Sequence, residues 1–492
     1  MFRQIHLITV LLWCVSCYSR QLTLTSAIQI ARQQSYDAMV ARLSFMSQYW
    51  NYRSFRAELL PAVNLSGSLL QFDRSMVEAR NYEDGRIAYV ENNSMSNSLS
   101  LSIDQNIAAL GGKLSVQSYL YRLDQFNYGT KTYNSQPVRL RYTQPLWAYN
   151  NLKWQKKTEP IKYEKAKRAY LESLESVSVQ TVSLFFGVLS AQSTYQQSVS
   201  TLKDRRYLFE IAKRRLELGT TTKSEVLQLE LSLLNAQVAV ENNGLALQNQ
   251  KFRLFSYLRI YNYDDTELMP PLTIPDVRVS ADEVVSKALK NSTHNLAQQI
   301  SRLESEKLVA QAKANRGIQV QLNAELGFNR TAGRFNDAYQ NLKDNEIVGV
   351  TVSLPIFDWG VSKGRVKMAE ADLEATKTQL EQAHETYIQD LKMSVLQFNM
   401  QYEQCKNALR AQDIADERYD ITKQRYETGA VNVTELNTAQ LEATSARAQY
   451  IQQLQTFWTG YYCLRKLTLY DWINNQDLAV NYKSLVYNKI SK

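Results

Sequence analysis

The chain has 492 residues, with 57 Lys and Arg against 48 Asp and Glu, a formal charge of +9. No basic cluster dominates, so the charge gives no nucleic-acid partner. The three His, at 6, 294 and 384, lie at no metal spacing, and there is no Walker loop, Rossmann glycine pattern or Gly-x-Ser-x-Gly elbow, so the expectation is no enzyme, no cofactor and no metal site.

The remaining composition points to long elements. Only 8 Pro and 16 Gly punctuate the chain, and few breakers mean few turns. Asp and Glu alternate with Lys and Arg along the helical tracts, as solvated faces do. The pairs Lys156-Lys157 and Arg214-Arg215 are read the same way.

In chain order, residues 1–19 read as a signal peptide. Arg3 precedes the apolar run Leu7 to Val15, too short to span a bilayer, and Cys17 and Ser19 sit at −3 and −1 of a cut before Arg20. Cys17 as a lipid-attachment residue is the alternative, although Cys14-Val15-Ser16 makes a poor lipobox. Beyond that segment only Cys405 and Cys463 remain, both in helical pattern and read as buried free thiols rather than a disulfide. No run of eighteen apolar residues exists, so any membrane crossing is expected from strands.

The first repeat spans residues 20–278. Its opening helix runs from Thr25, as N-cap, to about Leu59, before Pro61. Strands follow at Ala62–Phe72, Ser98–Ile107 and Val138–Thr143. Gly111-Gly112 marks a turn into an additional hairpin, Lys113 to Asn127, bearing Tyr119, Tyr121, Phe126 and Tyr128. A helix of about 68 residues, or about 100 Å, then runs from Asn151 to Leu218, with Pro160 as a candidate kink. Gly219 ends it in the left-handed conformation, and Ser224 caps the helix returning to Leu258.

The second repeat spans residues 279–470, leaving 471–492 as a C-terminal tail. Its first helix covers Ala281–Asn315. Ile318, Val320, Leu322, Ala324, Leu326 and Phe328 alternate with polar residues, a strand with one apolar face. A polar connection, Gly333–Asn345, leads to the returning strand Val348–Leu354. The long helix is Val361–Thr428, where Leu373, Leu380 and Tyr387, then Leu391, Phe398 and Cys405, recur every seven residues in coiled-coil fashion. Gly429 ends it, and Thr434 caps the return to Leu469.

The two repeats match in detail. Ile211 to Gly219 returns as Ile421 to Gly429 at a shift of 210 residues, and Glu225 and Glu435 each stand six positions past the glycine. The same shift maps Tyr142–Trp147 onto Val352–Phe357. Nearer the repeat starts the shift is 257, pairing Ala31 with Ala288, Ser35 with Ser292 and Val63 with Val320. The difference, 47 residues, is extra chain in the first repeat between Val63 and Tyr142. A duplicated chain of amphipathic strands and long helical hairpins suits a pseudo-symmetric building block better than a pocket enzyme. Four to six strands are too few to close a barrel alone, so closure needs other copies of the chain.

On these residues the chain resembles the TolC-like outer-membrane efflux protein family over about Leu22–Leu469. The resemblance rests on Leu60-Pro61-Ala62-Val63, Gln144-Pro145-Leu146-Trp147 and Leu354-Pro355-Ile356-Phe357-Asp358-Trp359-Gly360. It rests also on the tips, Arg215–Gly219 with Glu225-Val226-Leu227 and Arg425–Gly429 with Glu435-Leu436. The resemblance implies a fold that is mainly α with a β-barrel portion. Three copies would share a twelve-stranded barrel in outer-membrane lipid and extend very long coiled-coil helices into the periplasm as an α-barrel. It implies the exit duct of a tripartite efflux or type I secretion system, passive itself and energised by an inner-membrane transporter through a periplasmic adaptor (membrane fusion) protein. By the same resemblance Tyr426, Glu435 and Glu225 form the periplasmic constriction. The tips at Gly219, Thr221, Ser224, Gly429, Asn432 and Thr434 would dock the adaptor. Two family charges are missing, because Val431 and Thr438 stand in their places. The alternative from another class is an exported coiled-coil scaffold or adhesin without a pore, which has no need of strands with an apolar face.

Overall fold

The computed structural model describes residues 21–80, 85, 87–263, 266–271 and 274–487. The expected signal peptide, with Cys14 and Cys17, lies outside them. The chain divides into two compact units, each drawing on both repeats: Met1–Met46, Ala166–Asn295 and Ala383–Lys492 in one, Ser47–Lys165 and Leu296–Gln382 in the other.

The elements in order are β1 (Gln21–Thr23), α1 (Leu24–Gln34), α2 (Tyr36–Glu58), β2 (Ala62–Arg80), β3 (Ile87–Ile107), β4 (Gly112–Gln125), β5 (Thr130–Leu146), α3 (Asn151–Glu217), α4 (Lys223–Leu258), β6 (Glu267–Met269), α5 (Ala281–Asn291), α6 (His294–Arg316), β7 (Gln319–Ala332), β8 (Lys343–Ser353), α7 (Val361–Glu427), α8 (Val433–Thr468), β9 (Tyr470–Asp471), β10 (Gln476–Asp477) and α9 (Tyr482–Tyr487). A 3₁₀ turn, Asn336–Tyr339, sits within the expected polar connection before β8.

The long helices α3 and α7 have 67 residues each, and their partners α4 and α8 have 36 each. Pro160 lies inside α3 without ending it. Each opening helix, expected to be continuous, is instead broken at the paired serines. Ser35 and Ser292 are both buried and extended, and their N–H groups donate to Ala31 O and Ala288 O at 3.0 Å. The serine hydroxyl then takes over as acceptor for the next helix, from Ala38 N in the first repeat and His294 N in the second. This side-chain competition with the backbone ladder is what interrupts the helix. The N-cap of α1 is Thr23, whose hydroxyl accepts from Ser26 N, rather than the expected Thr25.

The first unit is helical at its core, with Val182, Phe185, Phe186 and Val188 of α3, Leu254 and Phe255 of α4, Phe398 of α7 and Phe457 of α8 buried. No run of eighteen apolar residues exists, yet one stretch of α3 is long and apolar enough, by length and composition, to cross a membrane; half of it is buried inside the protein. A core helix buried on several sides has the same apolar character as a membrane span. Within this unit Glu175 is buried and contacts Arg32 and Arg465. Arg465 in turn donates to Asp471 at 2.7 Å, and Tyr461 Oη donates to the same carboxylate at 2.6 Å. Cys405 is buried, Cys463 half-buried, and both are free.

The second unit carries one six-stranded antiparallel sheet in the order β2-β3-β4-β5-β7-β8. The internal duplication pairs β2 with β7 and β5 with β8, so β3 and β4 are the extra chain; Lys113–Asn127, expected as a hairpin in itself, is instead one strand, β4, which pairs back on the expected strand Ser98–Ile107 within β3. The strands of that region extend further than their apolar runs, because polar alternation continues past Phe72 and before Ser98. The register gives the sheet two distinct faces. Val63 pairs with Ile103, Ile103 with Val116, Val116 with Leu140, and Leu140 with Leu326. One residue along, Asp104, Ser115, Arg141 and Glu325 form a polar row, with Arg141 3.0 Å from Glu325.

Candidate gate and docking tips

Every residue expected at the constriction or the docking tips lies in the helical unit. The two helix ends repeat one another bond for bond. Gly219 N donates to Leu216 O at 3.0 Å and Thr220 N to Arg215 O at 2.9 Å. In the second repeat Gly429 N donates to Tyr426 O at 2.9 Å and Ala430 N to Arg425 O at 2.9 Å. The glycines stand at φ +73° and +79°, where a Cβ is disfavoured. This is the Schellman closure, which satisfies the last carbonyls of each long helix.

The caps differ from expectation. Thr222, not Ser224, caps α4 by accepting from Glu225 N at 3.3 Å, and Asn432, not Thr434, caps α8 by accepting from Glu435 N at 2.9 Å. The tight closure leaves room for the helix to restart two residues earlier. Ser224 and Thr434 are exposed on the first turns, and Thr221 donates its hydroxyl to the Glu225 carboxylate.

The pseudo-symmetry breaks at the side chains. Tyr426 occupies the position of Leu216, yet Tyr426 is 1% exposed and Leu216 is 37% exposed. The tyrosine ring packs with Leu208, Phe209, Ala212, Val226, Leu229, Val433 and Leu436, drawn from both hairpins. Its hydroxyl donates to Glu225 at 3.4 Å. Burial first, then the Glu225 carboxylate, pushes the phenol pKa up, so Tyr426 stays a neutral donor. Glu435, the repeat mate of Glu225, is instead half-exposed, 4.0 Å from Arg425. Tyr426 and Glu225 therefore come together, whereas Glu435 stands apart from them.

Several residues that join the two hairpins were not read as joining them from sequence. Arg215, expected on a solvated face, lies over the Tyr426 ring at 5.7 Å and donates to Glu427 O at 3.0 Å. Asp204 accepts from Tyr419 Oη at 2.9 Å and contacts Lys423 Nζ at 2.7 Å. Arg205 donates to Gln440, whose amide donates to Thr201 at 2.8 Å. Their signal was thin: each is an ordinary charged or polar residue on a long helix, and only the pairing of hairpins gives it a partner. No group of His, Cys, Asp and Glu suited to a metal occurs among the described residues.

A family model described as outer membrane efflux protein matches residues 27–258 and 284–467. Among solved structures, the Campylobacter jejuni CmeC outer membrane channel is similar at TM-score 0.65 and 15% identity, covering 94% of this chain and 88% of that one. The Vibrio cholerae outer membrane protein VceC is similar at TM-score 0.63 and 14% identity, covering 90% and 95%. The open state of the Neisseria gonorrhoeae MtrE outer membrane channel is similar at TM-score 0.61 and 13% identity, covering 93% and 91%. At such identities these three likenesses speak for the fold. No curated protein matches the chain by sequence.

Proposed function

Because the chain belongs to the outer membrane efflux protein family, it is an outer-membrane exit duct of an efflux system, and we propose that it works as a homotrimer whose sheets together close a lipid-facing barrel. Its long helices line a periplasmic passage. The observation that carries this reading is the sheet with one apolar and one polar face, in a chain that also builds two matched helical hairpins. A face of exposed Val, Leu and Ile suits lipid, and the polar face suits a water-filled lumen. A scaffold without a pore has no use for such a face.

The duct does no chemistry of its own. An inner-membrane transporter supplies energy, and a periplasmic adaptor docks at the tips through Gly219–Ser224 and Gly429–Thr434. The Tyr426–Glu225 contact supports a gate role, because it ties the end of α7 to the start of α4 within one copy. Releasing it frees one hairpin to move against the other. Glu435, repeated around a trimer axis, presents carboxylates that favour cations over anions. Membrane fractionation and native mass measurement test the assembly. The expected result is a trimer extracted by detergent from the outer membrane; a stable monomer in the soluble periplasm overturns it.

A further inference from the structure

The resemblance to the efflux family implies twelve strands from three copies, four per copy, yet this chain builds six strands into one continuous sheet. The two additional strands, β3 and β4, do not depart from the wall pattern. Their outward residues Leu99, Leu101, Ile103 and Val116 are 40–47% exposed and lie in line with Val63 and Leu65 of β2 and with Leu140 and Leu326 of β5 and β7. Their other face carries Ser98, Ser100, Ser102, Asp104, Ser115 and Gln117, which is lumen chemistry. A hairpin destined for water or for a plug has no reason to repeat the lipid-facing stripe at the same height.

Both sheet edges are also unprotected. Along β2, Ala62 to Phe72 contains no charge and no proline, and along β8 neither does Ile347 to Ser353. Soluble proteins blunt such edges with Lys, Pro or a covering element. Among the described residues β2 and β8 pair with nothing on their outer sides in the sheet. The strand count fixes the seam. Six alternating antiparallel strands leave the two edges running in opposite directions, so β8 of one copy meets β2 of the next antiparallel, as every other pair in the wall does. Six strands are too few to close on themselves, since the smallest single-chain barrels have about eight.

We propose that all six strands of each copy enter the wall, so that three copies close an eighteen-stranded barrel through β8–β2 seams. The inference rests on the trimer reading above. With strands about 4.8 Å apart and tilted about 40°, eighteen strands give a backbone radius of about 18 Å, against about 12 Å for twelve. Equivalent Cα atoms of three copies then stand about 31 Å apart rather than about 21 Å by the same geometry.

A spin label at Leu140→Cys, on the outward face of β5 and so in the wall whether or not β3 and β4 join it, reads this separation by double electron–electron resonance. The full-length protein is used in a Cys405→Ala/Cys463→Ala background, and the unlabelled-site parent sets the background signal. Native mass of the same sample counts the copies. Three copies with an inter-label distance about 10 Å longer than the twelve-strand geometry allows is the expected result. Three copies at the shorter distance show that β3 and β4 leave the wall, which overturns the proposal and spares the trimer. Two copies also overturn it, because two sheets make a twelve-stranded wall. A monomer refutes the trimer reading itself. Should Leu140→Cys fail to assemble, Leu326→Cys on β7 reports the same geometry.

Discussion

Tyr426→Phe is the sharpest probe of the proposed gate. The change deletes one hydroxyl and keeps the ring that fills the cluster of Leu208, Phe209, Val226 and Leu436. It also keeps the ring beneath Arg215. What is lost is the hydrogen bond to Glu225, at 3.4 Å a long one. Bonds to charged groups contribute about 1.5–3 kcal/mol and neutral ones about 1, so a long bond is placed near about 1 kcal/mol. Glu225 still accepts from Thr221 and is not stranded. That is about a fivefold shift toward the open state per copy, and up to about 150-fold if three copies open together. Planar-bilayer recording should show a higher open probability or conductance, with little change in thermal midpoint. Glu435→Gln acts differently. Its partner Arg425 is exposed, so its loss costs at most about 1 kcal/mol. It should weaken cation preference, and the double variant should show both effects. If Tyr426→Phe records as the parent does, with assembly intact, the constriction lies elsewhere and Tyr426 is packing alone.

Other consequences are equally direct. Glu175→Gln removes the buried carboxylate shared by Arg32 and Arg465, while Arg465 keeps Asp471, and should lower stability by about 2–3 kcal/mol in denaturant titration; a loss under 1 kcal/mol contradicts the buried network. Gly219→Ala and Gly429→Ala force a Cβ into the left-handed region, at about 1–2 kcal/mol each; nothing lies within 4 Å of the added atom at Gly219, so there the cost is conformational. His294 stacks on Tyr387 at 3.9 Å, and burial, then His384, holds its pKa below the ordinary value. The folded state therefore resists protonation, so stability is full above about pH 6.5 and falls as pH drops below it. His294→Gln should flatten the change in thermal midpoint between pH 7.5 and 5.5, and an unaltered slope assigns the effect to other groups. Ser224→Arg and Thr434→Arg, exposed and outside the cap bonds, should abolish efflux without lowering the thermal midpoint; unchanged efflux removes the tips from docking.

The long elements were legible because few things interrupt them. Alternation from Ile318 to Phe328 and the stretches ending at Gly219 and Gly429 carry strong periodic or steric signals, and the helix limits moved by a residue or two. The breaks at Ser35 and Ser292 were visible as a repeat pairing but not as breaks, since a serine interrupts a helix only when its hydroxyl finds the next N–H. The caps slipped from Ser224 and Thr434 to Thr222 and Asn432 because several capping residues stand in one short segment and the Schellman geometry chooses among them. Of the residues expected at the constriction, Tyr426 and Glu225 meet and Glu435 does not. Pseudo-symmetric sequence assigns the two acids equal places, and only the substitution of Leu216 for a second tyrosine separates them. Asp204, Tyr419 and Lys423 needed the packed hairpins before their charges had partners.

As an outer-membrane exit duct, this chain should carry current when the detergent-purified protein is inserted in a planar bilayer, recorded for the parent and for Tyr426→Phe/Glu435→Gln. The expected record is discrete cation-preferring steps that grow or lengthen in the variant; a bilayer that stays silent with both proteins, each confirmed as inserted, refutes the duct.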